Sequence, residues 1–469
     1  MSVSIMAVPI LQTFTSVHSA NCISYRNLSC KALELRSSSS QAFRLRTCSS
    51  RFRQRKAYGS SSPSSATTSV HAHVQQEMEH PIQLERTKFQ QVFQEFVIPK
   101  FIPPFCHNRN PLGEEANQAA QQWYHHYFGS TILPETFEKI KKGNTPILPI
   151  SFLKKGNTPI LPISNHPTAE LSRLEWAIEF FFFMFVIDDV VECKTRTSSL
   201  EDLEELFVEL MAGTISSFPQ YHILQENLNK YFSDELDRRS IKDFAEKVLA
   251  RAMQHSKTDF DKHKASAICS AFSNLWSRAT SEMPDEWSLR FTRILQEAML
   301  AQFLEARYLL EKKHPSFSMY LAHRKEFGYM DASLSIIDYV DGVFLPNTLH
   351  YSSPMQQLLQ ASGDVICWHN DIYSFQKELA NGETHNLVIL LSKEKQISYN
   401  KAAELVNQMV LDKIEEVHSA ITDLRVLTQS NKEITVAQRA AIEQYIVCCT
   451  SFISSTHEFH TQSSRFQVV

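Results

Sequence analysis

Along most of this chain apolar residues recur at i, i+3, i+4 and i+7, and few stretches alternate with period two. The helical period is clearest from Leu200 to Met211, Phe244 to Met253, Trp287 to Leu310, Lys401 to Leu427 and Ala437 to Phe452. Breakers fall between these runs: Pro103-Pro104, Asn110-Pro111, Pro134, Pro167, Pro219, Pro284, Pro315, Pro346, Pro354 and Asn381-Gly382. The spacing predicts an all-α fold, a dozen or so helices in one bundle of about 380 residues, large enough to enclose an apolar cavity. One helix, beginning near Ala169, is apolar almost all round through Trp176, Ala177, Ile178 and Phe180 to Ile187, so it is expected to be buried on most sides.

Composition changes this picture mainly at the N-terminus. The net charge of −4 hides an asymmetry: up to about Gln76 there are nine Lys and Arg and one acid, Glu34, which gives +8 and leaves −12 for the remainder. That stretch is also Ser-rich. It cannot bury enough apolar surface to fold, and basic, Ser-rich, acid-poor composition is that of an organelle transit peptide. The expected organisation is a disordered plastid-targeting segment over 1–76, with Val70-His71-Ala72 as cleavage context, and one folded domain over 77–469. If the segment does not target, the expected location is cytoplasmic. The absence of a global basic field speaks against nucleic acid as a partner. Ten Gly against thirty-one Phe argue against Gly-rich nucleotide folds. Nine Cys with no CxxC pair read as reduced thiols rather than a disulfide frame or zinc site. The longest apolar run, Phe180 to Ile187, is too short to span a membrane.

One repeat interrupts the periodic pattern. Lys141 to Ser151 recurs without change at Lys154 to Ser164. An offset of 13 residues is far below a solenoid period, and the Pro-rich copies over 141–164 read as either a local tandem duplication, expected to lengthen a surface loop, or a gene-model error.

Two oxygen-rich stripes carry the candidate chemistry. The apolar helix ends in Asp188-Asp189-Val190-Val191-Glu192. Asp188 and Glu192, four apart, share a face with Asp189 beside them. Three carboxylates at the end of a buried helix are costly unless neutralised, and Mg²⁺, held by carboxylates, waters and a substrate phosphate, does this. Read alone, the pattern fits a solvated acidic helix end equally well. Farther along, Asn370, Ser374 and Glu378 stand at i, i+4 and i+8, one stripe of amide, hydroxyl and carboxylate oxygens. Trp368, Ile372 and Phe375 could make the same stretch an ordinary amphipathic helix. Two such stripes in one bundle favour a shared metal cluster.

DDxxE followed far downstream by NDxxSxxxE resembles the class I terpene synthases, from about Phe93 to Phe466. Ile98-Pro99, Pro104-Phe105, Asn110-Pro111, Trp123 and His385-Asn386-Leu387-Val388 add to the likeness. The layout is similar to the microbial-type enzymes, including those of non-seed plants. The resemblance implies a single α domain, a helical bundle around a central apolar cavity, with both motifs at its mouth. It implies three Mg²⁺ ions, or Mn²⁺ in their place: Asp188, Asp189 and Glu192 for two, Asn370, Ser374 and Glu378 for the third. It places a diphosphate-sensing Arg 46 residues before Asn370, which is Arg324, and an effector four residues later, Gly328. Lys377 matches a diphosphate-binding Lys. The family's C-terminal Arg-Tyr pair is Arg465-Phe466 here, so the Arg remains and the hydroxyl is absent. Aromatic faces stabilise cations without trapping them, and Phe181, Met184 and Phe185, one to two turns before the first motif, are the expected cavity lining.

The expected activity is that of a terpene synthase, a carbon–oxygen lyase. It ionises a prenyl diphosphate, farnesyl diphosphate by family and domain size, the ten- or twenty-carbon substrate if the plastid address holds. The expected assembly is a monomer or homodimer. A chain-elongating prenyltransferase of the same fold and a non-catalytic isoprenoid-binding protein are the alternatives; the first lacks its second Asp-rich motif, and the second would not need the full set of metal ligands.

Overall fold

The computed structural model describes residues 95–128, 158–197, 205, 207–208, 251, 267–311, 313–380, 382–463 and 466, with only the helical backbone for 189–197 and 267–269. All of them belong to one compact unit, His80–Val469. The proposed 1–76 segment, the first repeat copy, most of the two periodic runs from Leu200 to Met211 and from Phe244 to Met253, and Arg465 lie outside the described residues.

Among the described residues there are thirteen α-helices and no strand. In chain order they are α1 (Gly113–Phe128), α2 (Ile160–Asn165), α3 (Leu171–Thr197), α4 (Ala267–Glu282), α5 (Asp285–Leu310), α6 (Phe317–Phe327), α7 (Met330–Ser335), α8 (Ile337–Val340), α9 (Asn347–His350), α10 (Ser353–Ala380), α11 (Leu387–Lys395), α12 (Tyr399–Ser430) and α13 (Val436–Gln462). None is long and apolar enough to cross a membrane. Among the described residues, breaks fall at prolines expected to make them. Pro284 and Pro346 precede helices as extended N-caps. Pro354 sits in the first turn of α10, where its missing N–H costs nothing. Side-chain caps fix other starts: Ser316 Oγ accepts from Met319 N, and Thr435 with Gln438 forms a reciprocal capping box on α13.

α3 is the aromatic centre, as its all-round apolarity requires. Trp176 stacks on Phe180 with centroids 5.2 Å apart, and Phe180 meets Phe291 of α5 at 5.9 Å. Trp276 and Trp287 both stack on the same Phe291, at 5.8 and 4.8 Å. Burying each such ring contributes roughly 1.5–3 kcal/mol. α1 packs along α3, while α10 lies between α12 and α13. Asn110 ties the entrance of α3 to the rest. Its amide donates to the carbonyls of His166 (2.9 Å) and Ala169 (2.8 Å), and its backbone N–H donates to Ile163 O (2.9 Å).

The duplicated segment corrects the expectation of a surface loop. Thr158, Ile160, Leu161, Pro162 and Ser164 of the second copy are buried, and its last residues form α2, packed on α13 and α3. Pro and Gly suggested a loop, but a Pro in the first turn of a short helix is compatible with helical geometry, and Ile160 and Leu161 carry the segment inward.

A buried ion pair braces the far side of the bundle. Arg290 donates to Asp338 Oδ2 (2.7 Å), to Asn347 Oδ1 (2.7 Å) and to Leu345 O (3.2 Å). Tyr445 OH and Leu345 N also donate to the Asp338 carboxylate, at 2.7 and 2.9 Å. Asp338→Ala would leave the Arg290 charge enclosed without its counter-ion, at a cost of about 3–5 kcal/mol. Chemical denaturation should show a midpoint lowered accordingly; an unchanged midpoint would remove the brace from the account of stability.

Candidate active site

The second stripe lies on the last third of α10, with Asn370, Ser374 and Glu378 on one face. Asn386, the N-cap of α11, holds the stripe from across the turn. Its Oδ1 accepts from Val388 N (2.8 Å), and its Nδ2 reaches Asp371 O (2.7 Å), Glu378 Oε2 (2.9 Å) and Ser374 Oγ (3.5 Å). Ser374 and Glu378 therefore converge on one point. Asn370 is gripped at both ends of its amide: Arg324 Nη2 donates to Oδ1 (3.1 Å), and Nδ2 lies 3.1 Å from His460 Nε2.

Arg324 stands where the 46-residue spacing puts it. It is on the last turn of α6, and its Nε donates to Asp371 Oδ1 at 2.8 Å. The other carboxylate oxygen of Asp371 accepts from Leu387 N (3.0 Å). Burial disfavours the guanidinium charge, yet Asp371 and the neighbouring Tyr320 hold its pKa well above the usual value. The helix then breaks. Gly328 caps α6, Tyr329 takes a left-handed backbone (φ 53°), and α7 begins at Met330. A Cβ on Gly328 would stand 2.8 Å from Arg324 Nη1 and 3.1 Å from Cys367 Sγ. The glycine is thus the space into which the guanidinium fits. Gly328→Ala should push Arg324 off Asn370 and Asp371, so turnover should fall far more than the melting temperature; a variant with normal turnover would show that the guanidinium has room to spare.

Glu305 of α5 was not singled out by the motifs. Burial pushes its carboxyl up to about 8, against the pull of Arg324 and with a further push from Asp188, Glu378 and Glu383. Tyr329, whose hydroxyl donates to Gln302 Oε1, feels the charges of Asp188 and Glu305 after burial itself. The first motif, through Asp188, and the α10 stripe, through Glu378, thus both act on Glu305. A signal for Glu305 existed: it continues the inward face Trp287, Phe291, Leu295, Ala298, Gln302, a register at which an acid has no structural reason to stand. Asp188 ends the described side chains of α3 and is exposed; Asp189 and Glu192 are on the same helix, their side chains outside the described part of the structure.

Whether the site suits a divalent cation can be judged from its charge. Enclosure, then Glu383 and Asp371, push the Glu378 carboxyl up to about 8. Asp188, Glu378 and Glu383 add negative charge at Glu305, and Arg324, already paired with Asp371, is the cation that pulls against it, so the acids are short of positive charge. Amide, hydroxyl and carboxylate oxygens are the donors Mg²⁺ prefers, so the residues fit it. The metal-free protein should respond to pH accordingly. In the unfolded chain Glu305 and Glu378 lose protons near 4.5, but the folded protein keeps them to about 8. Stability is then fully present below 4.5 and falls as pH rises towards 8. Melting curves taken in chelator should show that decline, and Mg²⁺ with diphosphate should flatten it; a metal-free protein equally stable across the range would contradict the charge account.

Behind Asn370 lies a neutral histidine group. His369 Nδ1 is 2.7 Å from His460 Nδ1, and His369 Nε2 is 3.3 Å from His457 Nδ1. Burial lowers all three, His460 to about 3. Phe466 packs edge-on against His460 (4.8 Å), the histidine that contacts Asn370, and against Phe459 (5.6 Å). The side that α3 turns to α13 is aromatic. Phe181 meets Phe452 at 6.0 Å and Phe185 meets Phe459 at 6.5 Å, while Met184 and Phe185 are half-buried. Lys377 is half-buried in the last turn of α10.

Comparison with known proteins gives the family. Residues 179–416, just over half of the chain, match the family model described as terpene synthase family 2, C-terminal metal binding. An alpha-gurjunene synthase of Marchantia polymorpha is 32% identical over 238 residues, 48% of this chain and 52% of the relative. A (+)-T-muurolol synthase ((2E,6E)-farnesyl diphosphate cyclizing) of Roseiflexus castenholzii is 27% identical over 205 residues, 43% and 59% of the two chains. The matched region thus spans between half and three-fifths of these relatives' length. Among solved structures a hedycaryol synthase superposes with a TM-score of 0.57 at 19% identity, covering 78% of this chain and 99% of its own, a likeness of fold. With Arg324 of α6 and the stripe of α10 inside the matched region, the chain belongs to the terpene synthase family.

Proposed function

We propose that this protein is a Mg²⁺-dependent terpene synthase that ionises a prenyl diphosphate, farnesyl diphosphate foremost, and cyclises the cation to a sesquiterpene. The observation that carries the reading is the convergence of Asn370, Ser374, Glu378, Arg324 and the charge of Asp188 on one acid-rich site beside an aromatic helix face. Asn370, Ser374 and Glu378 would hold one ion, and Asp188, Asp189 and Glu192 two more. Bound Mg²⁺ supplies positive charge to the departing diphosphate.

The chain's own residues do the rest. Arg324, already fixed by Asp371, presents a charged fork to the diphosphate with little reorganisation on substrate binding. Lys377, at the end of the same helix, and Arg465, beside the docked Phe466, would add cations. Gly328 and the left-handed Tyr329 put a backbone break at the sensor, where a carbonyl can face the substrate. Phe181, Met184 and Phe185 would stabilise the allylic cation and exclude water, which would otherwise quench it as an alcohol. The basic, acid-poor N-terminal segment supports a plastid address, read out by the fluorescence of a fusion of residues 1–72 in plant cells.

Incubation with ten-, fifteen- and twenty-carbon prenyl diphosphates and Mg²⁺ tests the reading. A cyclic hydrocarbon or alcohol from the fifteen-carbon substrate, seen by gas chromatography and abolished by chelator, is expected. A longer diphosphate would mean chain elongation, and binding without turnover would mean a carrier; either overturns the proposal.

A further inference from the structure

Away from the acid-rich site, three side chains with metal-ligand chemistry meet in the core. His166 caps α2, Asp341 follows α8, and Cys448 lies on α13; their ligand atoms are all within 4.8 Å of one another. His166 Nδ1 is 2.6 Å and Cys448 Sγ 3.4 Å from the same oxygen, Asp341 Oδ2. The side chains of His166 and Asp341 are 2% and 0% exposed, and Cys448 is 1% exposed. Gln444, one turn before Cys448, reaches the same point: its amide lies 3.0 Å from Asp341 Oδ1, 3.5 Å from Cys448 Sγ and 3.1 Å from Thr168 Oγ1. Among the described residues Asp341 has no Lys or Arg in an ion pair.

We propose that His166, Asp341 and Cys448 bind a thiophilic divalent cation, zinc foremost, as a structural site separate from the diphosphate metals. Imidazole, carboxylate and thiolate are the ligands of tetrahedral zinc, whose bond lengths place ligand atoms about 3.4–3.6 Å apart. The Cys–Asp separation already meets that distance, and the His–Asp pair needs to open by less than an ångström. Turning the Gln444 amide over would offer Oε1 as the fourth ligand. The charges balance: a dication, one carboxylate and one thiolate sum to zero, which suits a site enclosed on every side. The bond formed is Sγ–Zn, and the thiol proton leaves to solvent. Burial and Asp341 push the Cys448 thiol well above its usual range, so uptake should strengthen as pH rises. This site differs from the first in donor type and in place. Cys448 and the His460 that contacts Asn370 are twelve residues apart on one helix, about 18 Å along its axis. The ion would join α2, the turn after α8 and α13 and so fix the mouth of α3.

Cobalt is the probe, since its spectrum reports thiolate ligation. The full chain, stripped with chelator and dialysed, is titrated with Co²⁺. One equivalent is expected to give intense visible bands and a near-ultraviolet thiolate charge-transfer band, both removed by one equivalent of Zn²⁺. Cys448→Ser should abolish the charge-transfer band and weaken binding by roughly 10²-fold or more, judged against ligand-supporting changes worth 10–100-fold. His166→Gln should weaken it similarly. Asn370→Ala should leave it intact, which separates this site from the diphosphate metals. Circular dichroism checks that the variants fold; should they not, wild-type stoichiometry by elemental analysis decides. Less than one equivalent of bound metal, or a charge-transfer band surviving in Cys448→Ser, would overturn the proposal and leave a hydrogen-bonded triad.

Discussion

Arg324→Ala is expected to cost the most of any single change in this protein. One removed donor at a developing anion lowers turnover by about 10²–10³-fold, and here the donor is also the ion-pair partner of Asp371. Without it Asp371 and Asn370 lose their shared partner, and Glu305 loses the cation that pulls against its neutralisation. Arg324→Lys separates the two roles. It keeps a charge near Asp371 but cannot bridge Asn370 and Asp371 together, so stability should recover more than turnover. Steady-state kinetics beside melting curves make the comparison. Turnover unchanged in Arg324→Ala would remove it from the site.

The second large effect is expected at the α10 stripe. Asn370→Ala deletes one oxygen ligand and lowers turnover by about 10²-fold or more, by the same electrostatic argument. It differs from Arg324→Ala in its dependence on metal. Raising Mg²⁺ should recover part of the Asn370→Ala activity, because a weakened site still fills at higher concentration, while Arg324→Ala should not respond. A further distinction lies in the partner left behind: His460 loses its contact with the amide but stays neutral, so the fold should be little affected. If Asn370→Ala matches wild type at every Mg²⁺ concentration, the stripe does not hold a metal. Asp188→Ala, on the opposite motif, should behave in the same way.

The site was legible in the sequence where its residues follow one helix. Asn370, Ser374 and Glu378 repeat every four residues, and Arg324 falls at a fixed count from them. Glu305 and Asp371 were harder, for different reasons. Glu305 reaches the site from a helix that otherwise reads as core, and only tertiary packing brings it beside Asp188 and Glu378. Asp371 stands inside the motif, but its partners, Arg324 and the backbone of Leu387, come from two other segments. The helical architecture was legible because α5, α12 and α13 are long and carry whole turns of period, and because α3 is a long apolar run ending in acids. The short helices α7, α8 and α9 were not, since one turn holds too few residues to set a period. The repeat misled because Pro and Gly dominate its appearance while two aliphatic residues determine its fate.

That repeat leaves the bundle with two identical keys for one lock. Eleven residues from Lys141 to Ser151 match those from Lys154 to Ser164, yet it is the later copy that supplies α2. Nothing within the repeat can break the tie, so the choice must fall to the residues just beyond each copy. After Ser164 come Asn165 and His166: Asn165 Oδ1 accepts from Ser455 Oγ at 2.5 Å, His166 meets Asp341, and the His166 carbonyl accepts from Asn110. After Ser151 come Phe152 and Leu153, which have no polar side-chain atom to offer Ser455 or Asp341. Two residues outside the duplicated stretch therefore select the register. Excising 144–156 would remove the ambiguity along with the spare copy, and the shortened chain would retain every contact that α2 makes.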